Sequence, residues 1–229
     1  MSTMDNSTQE KRKKIIIFIQ GNISSGKSTL IKNLQGLEYV VYEEPVDKWI
    51  NEYKNSEGVN SLELFYQNMK TTAFYFEMLA LFTRWRVIKE ALQHEAPIVF
   101  IERCLETDPN SFALNLYENK LMDEHEWKLY NDLLKDKLED VKHLFEGVEV
   151  RQLYLRTDPG VCYERKYIRN REEERAIPLT YFETIHEKHD KWLGEIEGGN
   201  TSEYTHIING NRTIDEVLSD VRSFIANYL

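Results

Sequence analysis

Gly21-Asn22-Ile23-Ser24-Ser25-Gly26-Lys27-Ser28-Thr29 follows the apolar, β-branched run Ile15-Ile16-Ile17-Phe18-Ile19. Such a run predicts a strand buried on both faces of a sheet. Lys27 to Leu34 predicts a helix that stops before Gly36. Strand, G-x-x-x-x-G-K-S, helix is the sequence context of a phosphate-binding loop. The two glycines let backbone N–H groups close around phosphate oxygens, and the helix presents its positive end to the same atoms. In that reading Lys27 reaches the β- and γ-phosphates and Ser28 holds Mg²⁺. Strand and helix on either side disfavour a chance match in a surface loop.

Outward from this loop, apolar runs alternate with helical stretches. Tyr39–Tyr42, Ile98–Ile101, Val150–Leu155 and His206–Ile208 predict four more strands. Helices are expected over Asp47–Lys54, Asn110–Asn119, Glu124–Phe145, Pro159–Asn170, Leu179–Leu193 and Ile214–Tyr228. Ser61–Gln93 holds no Pro or Gly and predicts one long helix. The alternation implies an α/β fold, a five-stranded parallel sheet flanked by helices, with ligand beyond the C-terminal ends of the strands. Residues 1–13 predict a disordered polar tail and residues 14–229 a single domain.

The 229 residues carry a net charge of −10 and two cysteines. The acidic balance argues against nucleic acid as a partner. Two cysteines give no disulfide framework and suit a reducing compartment. No apolar run reaches membrane-spanning length and the N-terminus lacks a signal core, so the cytoplasm is the expected location.

Polar groups gather at the predicted strand ends: Glu43-Glu44 after strand two and Glu102-Arg103 after strand three. A carboxylate at the first position suits a general base for an attacking hydroxyl. One at the second suits Mg²⁺ and its waters. Arg165 and Arg169, four residues apart, share a helix face and suit a phosphate clamp within an arginine-rich lid. On the long helix, Tyr66, Ala73, Glu77, Ala80 and Arg84 return to one face, with small residues leaving room for a flat ligand. The six histidines form no ligand pattern, and His186 and His189 are expected on a solvated helix face. Trp85 and Trp127 are expected to pack.

Together these residues resemble the deoxyribonucleoside kinase family, which includes deoxycytidine, deoxyguanosine and deoxyadenosine kinases. The matching motifs are the loop Gly21–Thr29, Glu44-Pro45-Val46, Glu102-Arg103-Cys104 and Arg165 through Pro178-Leu179. Cys104 stands where many members carry serine. The resemblance implies the P-loop kinase fold, ATP with Mg²⁺ as donor, and the 5′-hydroxyl of a deoxynucleoside as acceptor. It implies Glu44 as general base with Arg103 beside it, Lys27 at the phosphates, and Ser28 with Glu102 at the metal. Arg165, Arg169 and Arg171 resemble the lid, and Tyr66 with Glu174 the pair that holds the sugar. Ile23, Val46, Trp49, Phe76 and Phe112 resemble the pocket walls, and Asp108 resembles the group that orients Arg84. A homodimer built on helices is also implied.

Glu77 stands where relatives usually carry glutamine. An ionised carboxylate offers only acceptors, which suits guanine N1–H and its amino group and opposes the ring-nitrogen acceptor of adenine or cytosine. Arg84 suits guanine O6 and N7 and would offset the charge of Glu77. A mispaired buried edge costs about 1–3 kcal/mol, one or two orders in selectivity. The expectation is a purine deoxynucleoside kinase with deoxyguanosine favoured, although a protonated Glu77 would mimic glutamine and readmit adenine and cytosine. Two alternatives are a nucleoside monophosphate kinase, disfavoured by a carboxylate where an acceptor phosphate would sit, and a non-catalytic nucleotide-binding switch.

Overall fold

A computed structural model describes residues 13–194 and 204–228. Five parallel strands form one sheet in the order β2-β3-β1-β4-β5: β1 Ile15–Gln20, β2 Val40–Tyr42, β3 Ile98–Glu102, β4 Glu149–Arg156 and β5 Thr205–Asn209. Central β1 pairs with β3 from Ile15 opposite Ile98 and with β4 from Ile15 opposite Glu149.

The period of two along β1 divides the core. Ile16 and Phe18 join Val99 and Ile101 on one face, under α4 (Met69–Gln93), α6 (Phe112–Glu118) and α7 (Glu124–Lys142). Ile15, Ile17 and Ile19 join Phe100, Leu153 and Leu155 on the other, under α1 (Lys27–Gly36) and α10 (Ile214–Ala226). Both faces being covered explains why β1 and β3 read as unbroken apolar runs. Capping boxes start α7 (Asp123 with Glu126) and α10 (Thr213 with Glu216).

The expected single helix over Ser61–Gln93 is two: α3 (Ser61–Gln67) and α4, broken at Asn68. Asn68 leaves the helical region at φ −149° and ψ 65°, and its carbonyl accepts from the hydroxyls of Thr72 (2.7 Å) and Thr71 (3.3 Å). Polar side chains bonding to backbone in this way compete with the helical ladder. The 110–119 helix divides similarly at Ser111 into α5 (Thr107–Asn110) and α6. The short helix after β2 is α2 (Val46–Asn51). Beyond it, α8 spans Pro159–Arg169 and α9 spans Leu179–His189, followed by a π-helical turn at Asp190–Gly194.

The expectation of solvated histidines on α9 is corrected. His189 is fully buried, its Nδ1 2.8 Å from Ile185 O and its ring stacked on Tyr154. His186 Nε2 lies 3.3 Å from Asp190 Oδ2. Trp127 does pack, between Tyr117 and Tyr130. The predicted tail, apart from Lys13, and the whole of the predicted loop 195–203 lie outside the described residues.

Candidate active site

The loop between β1 and α1 wraps around its own backbone. Gly21 takes φ 149°, and a Cβ there would fall 2.7 Å from Ser25 Oγ and 2.8 Å from Leu155 O. Gly26, at φ 107°, is the residue before α1. Asn22 faces away from the cavity side of the loop: its Nδ2 donates to Phe182 O at 2.8 Å and its Oδ1 accepts from Ile23 N. Lys27 Nζ donates to Gly21 O (3.1 Å) and Asn22 O (2.8 Å) and lies 3.9 Å from Glu102 Oε1. Burial, assisted by the positive charge of Arg103, pulls the lysine down to about 7 against the pull of Glu102 and Glu44. Ser24 Oγ and Ser25 Oγ are buried without a partner.

A cavity of about 1020 Å³ runs from this loop along the strand ends. Glu44 lines it, with Oε1 2.6 Å from Arg84 Nη2 and Oε2 3.2 Å from Arg103 Nε. Burial alone would raise this carboxyl, but Arg103 and Arg84 outweigh it and hold it at about 2. Arg103 reaches Glu44 from a left-handed backbone, φ 65°, just past β3, a conformation that costs a non-glycine residue free energy and concentrates at functional sites. Its guanidinium lies 4.6 Å from the centre of the Phe112 ring. Glu102, the last residue of β3, accepts from Glu44 N at 3.2 Å, and burial raises its carboxyl.

The cavity wall around Glu77 comes from two helices. Tyr66 lies on α3, while Phe76, Glu77, Ala80 and Arg84 lie on α4; all five line the cavity. Ala73, the other member of the predicted face, is buried in the core. Arg84 bonds Asp108 through Nη1 and Glu44 through Nη2. Arg84 forms no hydrogen bond with Glu77, since its Nη1 and Nη2 go to Asp108 and Glu44, but its charge offsets that of Glu77 in part. Among the described residues Glu77 makes no hydrogen bond or ion pair, and its Oε2 is buried without a partner. Burial first, then the charge of Asp108, push its carboxyl well above the usual range. Trp49, with Nε1 2.9 Å from Thr83 Oγ1, packs edge-on to Phe76, which stacks on Phe65.

The arginine-rich segment closes the third side. Arg165 Nη1 donates to Ser25 O (3.1 Å) and Gly210 O (2.9 Å). Arg169 and Arg171 both bond the buried carboxylate of Glu174. Lys166 points the other way: its Nζ donates to Arg175 O (3.1 Å) and Ile177 O (2.7 Å), over the ring of Tyr163. Asn60 links this segment to α3, its Nδ2 2.9 Å from Glu173 Oε1 and its Oδ1 capping Glu63 N at 2.8 Å.

Every predicted catalytic, nucleotide-binding, substrate-binding and metal residue lines the cavity except Gly21 and Asn22. Tyr181 on α9 also lines it and was not anticipated, since no motif marks a lone tyrosine. No group of three or more His, Cys, Asp or Glu among the described residues could hold a metal alone. A magnesium ion carried on nucleotide phosphates needs only one or two protein oxygens, and Ser28 and Glu102 both line the cavity at the loop.

Phosphate loop, parallel sheet and acidic strand ends define a P-loop phosphotransferase with an acceptor pocket beside the loop. The model of the deoxynucleoside kinase family matches residues 17–226. The chain is 34% identical over 213 residues to deoxycytidine kinase of Rattus norvegicus, covering 84% of this chain and 78% of that one. It is 36% identical over 214 residues to deoxycytidine kinase 2 of Gallus gallus, with the same coverage. To mitochondrial thymidine kinase 2 of Macaca fascicularis it is 32% identical over 188 residues, 81% of this chain and 66% of that one. The chain belongs to the deoxynucleoside kinase family and is an ATP-dependent enzyme of that kind.

Proposed function

We propose that the enzyme transfers the γ-phosphoryl group of ATP to the 5′-hydroxyl of a purine deoxynucleoside, deoxyguanosine first and deoxyadenosine next, with deoxycytidine also accepted, in nucleotide salvage. The observation that carries this reading is the Glu44 carboxylate between Arg84 and Arg103, in one cavity lined by both the phosphate loop and Glu77. Glu44 is ionised at neutral pH and takes the proton of the 5′-hydroxyl as the phosphoryl group arrives. Its low basicity suits a loose transition state, in which the proton leaves late. Arg103 and Lys27 stabilise the transferring charge. Ser28 and Glu102 hold Mg²⁺, which supplies charge neutralisation on the phosphates. Arg165, Arg169 and Arg171 close on the donor phosphates, and Tyr66 with Glu174 holds the sugar.

Supporting a guanine choice is the free carboxyl of Glu77, which in its ionised form matches two adjacent donors. The proton favoured by burial admits adenine and cytosine, so guanine leads only where Glu77 has given that proton up. A nucleoside monophosphate as acceptor would set its phosphate against Glu44, and a switch would need no such carboxylate. ADP release measured with each of the four deoxynucleosides, with none, and with monophosphates tests the reading. Release independent of any nucleoside, or faster with monophosphates, would sink it.

We also infer that residues 14–229 act as one kinase domain in the cytoplasm. No helix among the described residues is long and apolar enough to cross a membrane. A homodimer through α4 is supported by exposed Tyr75 and Phe82 on that helix. Light scattering of the purified chain at the mass of a monomer would remove the dimer.

A further inference from the structure

We propose that a proton on Glu77 selects the acceptor base: with it the site reads adenine and cytosine, and without it the site reads guanine, so binding deoxyguanosine expels a proton that binding deoxycytidine leaves in place. This rests on the deoxynucleoside kinase reading above.

The charges around Glu77 balance without it. Asp108, on α5, is bonded to Arg84 of α4; Glu44, after β2, is bonded to Arg84 and to Arg103, after β3. Two carboxylates therefore face two guanidinium groups. The remaining titratable neighbours are the phenols of Tyr130 on α7 and Tyr181 on α9, both held neutral by burial. Glu77 is only 2% exposed, its Oε2 is buried without a partner, and the charges of Arg84 and Arg103 are already matched by Asp108 and Glu44. Burial and Asp108 therefore outweigh the attraction of the two guanidinium groups, and the free site favours the acid form.

A carboxylic acid presents one donor and one acceptor. Cytosine N3 with its amino group, and adenine N1 with its amino group, present the complement. Guanine presents N1–H beside N2–H, and one of these meets the acid O–H donor to donor. Guanine seats when Glu77 gives its proton to solvent. The carboxylate then accepts two charge-assisted hydrogen bonds, which offset the burial of its charge. Glutamine at this position has no proton to lose and reads all bases in one state.

The test is the ratio of kcat/KM for deoxyguanosine to that for deoxycytidine, with saturating ATP and Mg²⁺. Titrations shared by both reactions, at Glu44 or Lys27, cancel in the ratio. Between about pH 6 and about pH 8 the ratio is expected to rise at least tenfold, up to about tenfold per unit while the free site holds its proton. Glu77→Gln is expected to flatten it. Calorimetry of the unmodified protein in two buffers of different ionisation enthalpy is expected to show about one proton released per deoxyguanosine near pH 6 and none per deoxycytidine. A ratio that moves less than about twofold, or no proton release, overturns the inference while leaving a working kinase. ADP release with none of the nucleosides removes the kinase reading and the inference with it.

Discussion

Oε1 of Glu44 lies 2.6 Å from Nη2 of Arg84, so a carboxylate just past β2 is tied to α4, the helix that carries Phe76 and Glu77. Arg103 holds the other oxygen at 3.2 Å. Glu44→Gln keeps the shape, removes the charge and leaves no base for the acceptor hydroxyl. kcat is expected to fall by about 10²–10⁴-fold, with the Kd for ATP changed less than about threefold, since the loop bonds of Lys27 do not involve Glu44. Steady-state kinetics and nucleotide titration check both halves. A variant within a few-fold of normal turnover would remove Glu44 from the chemistry.

Asp108 and Arg84 form a pair at 2–3% side-chain exposure. Asp108→Ala leaves Arg84 with Glu44 as its one remaining partner. Breaking a buried pair on one side costs about 3–5 kcal/mol, and the remaining partner places the expected loss near the lower end. Urea unfolding measures it. A loss under about 1 kcal/mol would mean that the pair contributes no more than an exposed one.

Lys166 fastens the segment bearing Arg171 and Glu174 to the helix bearing Arg165 and Arg169. Lys166→Met preserves the aliphatic stem and loses both bonds to backbone carbonyls. Hydrogen bonds from a charged donor contribute about 1.5–3 kcal/mol, so the acceptor KM is expected to rise roughly tenfold or more, with a smaller change in kcat. An unchanged KM would show that the segment holds its place without the lysine.

His189 is kept neutral in the folded protein because burial first, and then the charge of Arg103, pull it down to about 3. The unfolded chain takes up a proton at this residue below about 6.5. Its contribution is therefore complete above that pH and is lost as the pH falls towards 3. By pH 5 the loss is about 2 kcal/mol. Unfolding free energies of the parent and His189→Asn, compared at about pH 7 and about pH 5, are expected to converge at the acid end. Parallel curves would contradict it.

The phosphate loop, the five strands and the carboxylates at their ends were legible because each rests on local pattern: an apolar run, two glycines at fixed spacing, a polar pair at a run's end. The break at Asn68 was not, because nothing in composition marks it; it arises from Thr71 and Thr72 hydroxyls converging on one carbonyl. Angular periodicity nevertheless grouped Tyr66 with Glu77 and Arg84, and the cavity unites them across two helices. The partner of Arg84 was legible only in part. Helix spacing placed it near Glu77, but whether it serves Glu77, Asp108 or Glu44 depends on chain segments far apart in sequence. His189 misled for the same reason: a polar-looking helix face is buried by Phe112 and Tyr154, which come from distant chain segments, and by Trp192 in the turn that follows.

The amide of Asn60 holds two things at once, with its oxygen on the first turn of α3 and its nitrogen on Glu173. Only the second of these joins ties α3 to the segment bearing Arg171 and Glu174, so breaking it would leave the capped start of the helix that carries Tyr66 intact.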